Sequence, residues 1–344
     1  MPEYNKYKHL LTMTDEQGIL QFSVLDKPDP NSGYTIDDNA RSLIVSLGMK
    51  DGEALSAIFA SNLHRAQQID GNWSNLFLNG KYYSQFNSED SVGRSLLACS
   101  LAASAACTRT SQISKLILEK QLIKAEHFRY LRAISYAILA LTKSPSPILK
   151  DNKKWELLNL LCSRLLAFYH QSKNSSWYWF EDTMTYCNSI MPCALWSAYK
   201  IIPDKKILIC AQDSLQFLNS LQFSAGYLNV VGNDGWYHRE NFTHFPLYDQ
   251  QPVEAVSTAF ACHEAYTATG SSQYYQQFEL ARQWFHGKNL NRQTLIDKKS
   301  GGCYDGLTPK GPNLNQGAES LLSYLLTEQL WEAQVPLLSE IAEV

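Results

Sequence analysis

Little in this sequence points to a charged partner or a membrane. Its 30 Lys and Arg nearly balance 33 Asp and Glu, leaving a net charge of −3, so no basic field is available to hold nucleic acid. No apolar run approaches the roughly 20 residues that a membrane-spanning helix needs. The opening residues, Met1-Pro2-Glu3-Tyr4-Asn5-Lys6, contain no apolar signal region, and a cytoplasmic location is expected. The eight cysteines, at 99, 107, 162, 187, 193, 210, 262 and 303, form no C-x-x-C pair, which excludes zinc-ribbon and thioredoxin-like sites. Most lie in apolar helical text, as in Leu97-Ala98-Cys99 and Leu160-Leu161-Cys162, and are expected to be buried free thiols. There is no G-x-G-x-x-G, no Walker loop and no G-x-S-x-G, so nucleotide binding and the hydrolase elbow lack their usual loops. The spacing of His244 and His263 does not suggest a metal site, and no cofactor or metal is expected.

What the sequence does have is length, apolar content and aromatics. Its 344 residues exceed the usual single-core range of roughly 250–300, so it is either two domains or one large repetitive one. A hydrophobic content of 45% excludes wholesale disorder. There are 8 Trp, 19 Tyr and 14 Phe. Where such rings lie beside carboxylates and amides in loops, they suit a pyranose, which offers flat C–H faces and a hydroxyl rim.

After Asp38 the pattern is almost wholly helical. Apolar periodicity predicts helices over 38–48, 52–69, 91–107, 111–121, 125–143, 153–171, 184–200, 204–221, 252–269, 272–287, 315–332 and 335–342. Gly48, Gly71, Pro145, Pro147, Pro203, Gly270, Gly301-Gly302 and Pro336 punctuate them, and Pro192 calls for a late start or a kink in its helix. Alternate helices open from polar, aromatic-rich loops near 38, 91, 125, 187, 252 and 316. That recurrence is the mark of an array built from one helical hairpin. An open tetratricopeptide-like solenoid would have shorter, regular loops. The expected fold is therefore all-α, a closed toroid of six helical hairpins spanning 1–344, with 1–33 an irregular leading segment. Ile19–Val24 reads as a short strand, and Gly226–Tyr237 as an inserted β-hairpin turning at Asn233-Asp234-Gly235.

Five loops concentrate the chemistry. The first is Gly33-Tyr34-Thr35-Ile36-Asp37-Asp38-Asn39-Ala40-Arg41, in which two carboxylates, an amide and a guanidinium crowd a helix start. Helix capping accounts for one Asp, not for the whole group. The second, Ser88-Glu89-Asp90-Ser91-Val92-Gly93-Arg94, repeats the theme, with an Asp90–Arg94 pair one turn apart as the plain alternative. The third, Trp177-Tyr178-Trp179-Phe180-Glu181-Asp182, sets carboxylates against aromatic walls, where a carboxyl can be held protonated; Asn188 follows. The fourth runs through Trp236-Tyr237-His238-Arg239 to Gln250-Gln251-Pro252-Val253-Glu254. The fifth combines Asp305 with Gln316-Gly317-Ala318-Glu319.

Taken together, Gly33-Tyr34-Thr35-Ile36-Asp37-Asp38-Asn39-Ala40-Arg41, Trp179-Phe180-Glu181-Asp182, Gln250-Gln251-Pro252-Val253-Glu254-Ala255 and Asn315-Gln316-Gly317-Ala318-Glu319-Ser320 resemble an (α/α)6-toroid family of the six-hairpin glycosidase superfamily. That family is often fused to, or encoded beside, bacterial glycosyltransferases. The resemblance spans essentially the whole chain. One departure is that Cys187-Asn188-Ser189-Ile190 stands where a second Asp-Asn-Ala-Arg would be expected. The resemblance implies a glycoside hydrolase acting on an oligosaccharide in the central cleft, with inverting chemistry. The acid and base are expected among Asp38, Glu181, Asp182 and Asp305. Tyr34, Asp37, Asn39, Arg41, Glu89, Asp90, Arg94, Asn188, His238, Arg239, Gln250, Gln251, Glu254, Gln316 and Glu319 would bind hydroxyls, and Trp177, Trp179, Trp236 and Tyr237 would stack on rings. Two alternatives share the toroid: a sugar epimerase or isomerase, with His238 as the candidate proton shuttle, and a non-catalytic carbohydrate-binding partner of a glycosyltransferase.

Overall fold

The computed structural model describes residues 5–69, 71–145, 148–241 and 243–342, with side chains to residue 334. It contains helices α1 (Lys8–Met13), α2 (Ile36–Leu47), α3 (Glu53–Arg65), α4 (Glu89–Ala102), α5 (Thr108–Gln121), α6 (Leu131–Lys143), α7 (Asp151–Ser172), α8 (Ile190–Tyr199), α9 (Lys205–Gln222), α10 (Pro252–Thr269), α11 (Ser272–Phe285) and α12 (Ala318–Ala342).

Which helices face inward follows from their residues. In α8 every residue from Ile190 to Ala198 is buried, and in α6 every residue from Leu131 to Leu141. Helices apolar or small on all sides must be surrounded by protein. By contrast α5, with Arg109, Lys115, Glu119 and Lys120, buries only one stripe. Accordingly α2, α4, α6, α8, α10 and α12 pack each on the next, and α12 packs back on α2 to close the ring. Outside lie α3, α5, α7, α9 and α11, and α1 takes the remaining place against α12. This is an (α/α)6 toroid.

Several boundaries differ from expectation for local reasons. The helix expected over 125–143 begins at Leu131, because 122–127 forms a 3-10 turn. The one expected from 184 begins at Ile190, which puts Pro192 in its first turn, where a proline costs no hydrogen bond. The break expected at Pro336 does not occur, since α12 runs unbroken from Ala318 to Ala342; its outer partner is α1, within the segment expected to be irregular. The Gly226–Tyr237 hairpin does not form either. The turn at 233–235 is present, but Leu228, Val230 and Val231 are fully buried plugs rather than strand residues. Tyr237–His238 pairs instead with Thr183–Met184. All eight cysteines are free, and all but Cys107 are buried. No described helix is long and apolar enough to cross a membrane.

The leading segment is fastened to the ring by Asn39. Its Oδ1 accepts the Ile19 amide at 3.2 Å, while its Nδ2 donates to the Thr35 carbonyl at 2.7 Å. Gly18, at φ +144°, lies so close that an added Cβ would sit 2.2 Å from Asn39 Oδ1. Replacing Asn39 by Ala strands a buried amide N–H. Asn39→Ala should therefore lower stability by about 1–3 kcal/mol, read as a fall in the urea midpoint without a change in slope; an unchanged midpoint would contradict this fastening role.

Candidate functional site

The segments at and before the starts of α2, α4, α8, α10 and α12 contribute to one cavity of about 640 Å³. Asp37, Asp38 and Arg41 reach it from α2, Arg94 from α4, Gln251 and Val253 from the start of α10, Gly317, Glu319 and Ser320 from the start of α12, and Asp305 from the loop before α12. Gln21, Phe22, Thr35, Asn75, Phe86, Tyr186, Asn233, Trp236 and Asn313 complete the lining. Local chemistry sets these positions. Thr35 caps α2 by accepting the Asp38 amide, Ser88 caps α4 by accepting the Ser91 amide, and Pro252 stands at the first turn of α10.

The two adjacent carboxylates have separate partners. Asp38 Oδ2 accepts from Thr35 Oγ1 at 2.8 Å, and Oδ1 accepts from Arg41 at 2.9 Å. Arg41 donates its other nitrogen to Glu319 at 2.7 Å. Asp37 accepts from Arg94 and from Asn75 Nδ2, so the Asp90–Arg94 pair is not made. Asp90 instead receives the Tyr186 hydroxyl. Arg94 lies over the Tyr136 ring, 5.0 Å from its centroid, and its Nε donates to the Tyr136 hydroxyl.

Electrostatics separate the carboxyls. Burial raises Asp38 from 3.8 to about 6 against the pull of Arg41. Burial also raises Asp305, opposed by the Gly317 amide that donates to its Oδ1 at 2.7 Å. Outside the lining, burial raises Glu254 from 4.5 to about 7, although it accepts the amides of Cys187 and Asn188 and the Asn188 side chain.

Other expected site residues lie elsewhere. Trp177 and Trp179 are 1% and 0% exposed; they pack on Phe217 and Phe180 and offer no face to a sugar. Tyr237 is buried against Trp177 and Phe245. Glu181 and Asp182 border a separate hollow of about 430 Å³ with Arg129, Tyr130 and Arg239. There Glu181 pairs with Arg132 and Asp182 with Arg239. His238 is exposed, bonded to Thr183 and the Gly235 carbonyl, and outside the cavity lining. Gln250 is fully buried among Asn229, Leu247 and Trp284, and Gln316 is held by Ser300 and Asp297. Glu254 and Asn188 are buried outside the lining, where Glu254 accepts the Cys187 and Asn188 amides just before α8. Glu89 caps the Arg129 and Tyr130 amides, and Tyr34 bonds Asp15. Among lining residues that sequence reasoning missed, Phe86 had a signal: an aromatic in the polar loop just before Ser88-Glu89-Asp90. Phe22 was masked by its place in an alternating, strand-like run.

No family profile and no curated protein matches the sequence. Solved structures do match in shape. A D-mannose isomerase superposes with a TM-score of 0.69 at 17% identity, covering 95% of both chains. The cellobiose 2-epimerase of Spirochaeta thermophila gives 0.70 at 12%, covering 95% of this chain and 93% of that one. The chain has their fold. The GH76 α-mannanase of Bacteroides thetaiotaomicron follows at 0.58 and 12%, over 88% and 87%.

The raised carboxyls make a prediction about stability. The folded state holds protons on Asp38 and Glu254 that the unfolded chain has released, so these groups favour folding most below about pH 4. Their contribution falls as pH rises through the window from about 4 to about 7. Glu254→Gln removes one of the two titrations. Its melting temperature should fall less steeply over that window than the parent's by calorimetry, and parallel slopes would count against the assignment.

Proposed function

We propose that this chain is a carbohydrate-active enzyme of the six-hairpin glycosidase superfamily, a glycoside hydrolase that cleaves an oligosaccharide in the central cavity. The observation that carries this reading is the gathering of Asp37, Asp38, Asp305 and Glu319, from opposite ends of the described chain, in one cavity with two guanidiniums. Asp38, raised to about 6, is the proton donor. It protonates the glycosidic oxygen as the C1–O bond breaks. Asp305 takes a proton from the water that attacks C1 from the other face. Inverting chemistry of this kind needs the two carboxyl groups about 6.5–9.5 Å apart, with room for that water between them. Arg41 and Arg94 orient the carboxylates, and Gln251 and Asn233 present hydrogen-bonding groups to hydroxyls.

The likeness to an isomerase and an epimerase favours a second reading, proton transfer at a sugar carbon. That chemistry calls for a base such as His at the cavity. Among the described residues, none of those lining the cavity is His, which supports the hydrolase.

A screen of reducing-end release from manno-, gluco- and galacto-oligosaccharides tests the proposal. Asp38→Asn and Asp305→Asn should each lower kcat by about 10²–10⁴, with Asp182→Asn near the parent. Rate should decline as pH rises through about 6, where Asp38 loses its proton. No turnover on any substrate, or deuterium from solvent appearing on a sugar carbon, would replace this reading with the second.

A further inference from the structure

Two features of the cavity concern its ligand rather than its chemistry. The first is charge. Four carboxyl groups line it, Asp37, Asp38, Asp305 and Glu319, against two guanidiniums, so three remain to face two cations when Asp38 holds its proton. Both cations are already engaged: Arg41 with Asp38 and Glu319, Arg94 with Asp37. Among the described residues, no Lys or His joins the lining. An acidic sugar or a phosphate would meet negative charge with no cation left to pair it.

The second is shape. Further along, the inner helices are buried on every face, as every residue of Leu131–Leu141 in α6 and Ile190–Ala198 in α8 shows, so the side toward the ring axis is closed too. The cavity therefore has a floor and is not a channel. Its mouth carries three half-exposed rings: Phe22 at 53%, Phe86 at 50% and Trp236 at 45%. They come from different segments of the chain. Phe22 follows Gln21, whose carbonyl accepts the first amide of α12. Phe86 leads into α4, and its carbonyl accepts from Asn75, the residue that also holds Asp37. Trp236 lies before Tyr237–His238, the strand paired beside α8. By these neighbours Phe22 belongs with α12, Phe86 with α4, and Trp236 with the segment ahead of α8. Trp236 is also held at φ +46°, a costly conformation for a bulky side chain, and such strain persists where the surroundings impose it.

From the charge and the fenced, floored shape together, we infer that the cavity admits the terminal unit of an uncharged oligosaccharide end-on, with the next rings stacked on Phe22, Phe86 and Trp236, and that it rejects acidic sugars. This rests on the sugar-binding part of the function proposed above and not on turnover.

Titration calorimetry of the intact chain with neutral gluco- and manno-oligosaccharides of one to five units, and with oligogalacturonides of the same lengths, tests it. Affinity should grow with length for a neutral series and be absent or at least on the order of tenfold weaker for the acidic one. Trp236→Ala, Phe22→Ala and Phe86→Ala should each reduce the gain with length by on the order of threefold to tenfold, and Trp236→Phe should restore part of it. Unchanged melting temperatures show that the variants fold. Equal or tighter binding of the acidic series, no binding of any neutral sugar, or rim variants that keep the full gain with length would overturn the inference. If a neutral substrate is cut, terminal units should appear first, and mid-chain fragments would also overturn it. Binding with this pattern but without turnover would sink the hydrolase and leave the inference standing.

Discussion

A buried guanidinium at the seam of the ring is the interaction on which the rest depends. Arg41 lies on the first inner helix and is nearly inaccessible to water. A charge in that position must be paired, and removing one partner of such a pair costs about 3–5 kcal/mol. Asp38, one turn back on α2, meets one nitrogen, and Glu319, on α12, meets the other. The bond to Glu319 joins residues 278 positions apart and crosses the point where the toroid closes. Closing the ring and assembling the cavity are thus one event: α12 cannot dock on α2 without bringing Glu319, Gly317 and, through the Gly317 amide, Asp305 to the same place as Asp38.

The neighbouring loops follow the same division of labour. Amides do the holding, so that carboxylates can stay at the surface of the cavity. Asn39 fastens the leading segment, Asn75 joins the Asp37 carboxylate to the Phe86 carbonyl, and Gln250 and Gln316 are spent inside the loops before α10 and α12. Read in sequence, Asn39, Gln250 and Gln316 look like ligand contacts because they adjoin helix starts full of acids. Buried backbone groups need partners wherever irregular chain enters a core, and these side chains supply them.

The fold was legible because alternate helices open from polar, aromatic-rich loops that recur at a hairpin's length. The cavity was legible in part. Asp37, Asp38, Arg41, Arg94, Asp305 and Glu319 all reach it, and each stands at or beside the polar start of an inner helix or in the loop before it. What one dimension could not reveal was the direction in which a loop residue points. Trp177-Tyr178-Trp179-Phe180-Glu181-Asp182 combines rings and acids as a sugar subsite would, yet the indole of Trp177 donates to the backbone carbonyl of Glu181 and not to a ligand. With both Trp rings turned into the core, the two carboxylates are left on the outer side. Of the rings that line the cavity, Trp236 was singled out in its loop, whereas Phe22 and Phe86 stand apart from the aromatic-acid clusters and were not.

The outward carboxylates are still connected to the site. Glu181 receives two bonds from one nitrogen of Arg132, at 3.1 and 3.0 Å. The same guanidinium donates to the Tyr186 carbonyl and lies over the Tyr186 ring, 4.6 Å from its centroid. Tyr186 lines the cavity, and its hydroxyl meets Asp90 on α4. A rigid cation between an acid outside and an aromatic wall inside fixes that wall without exposing a free charge to a ligand. The aromatic-acid cluster therefore shapes the site from behind, through Arg132, and this explains how a sequence with rings and carboxylates side by side can have its cavity-facing surface on other residues.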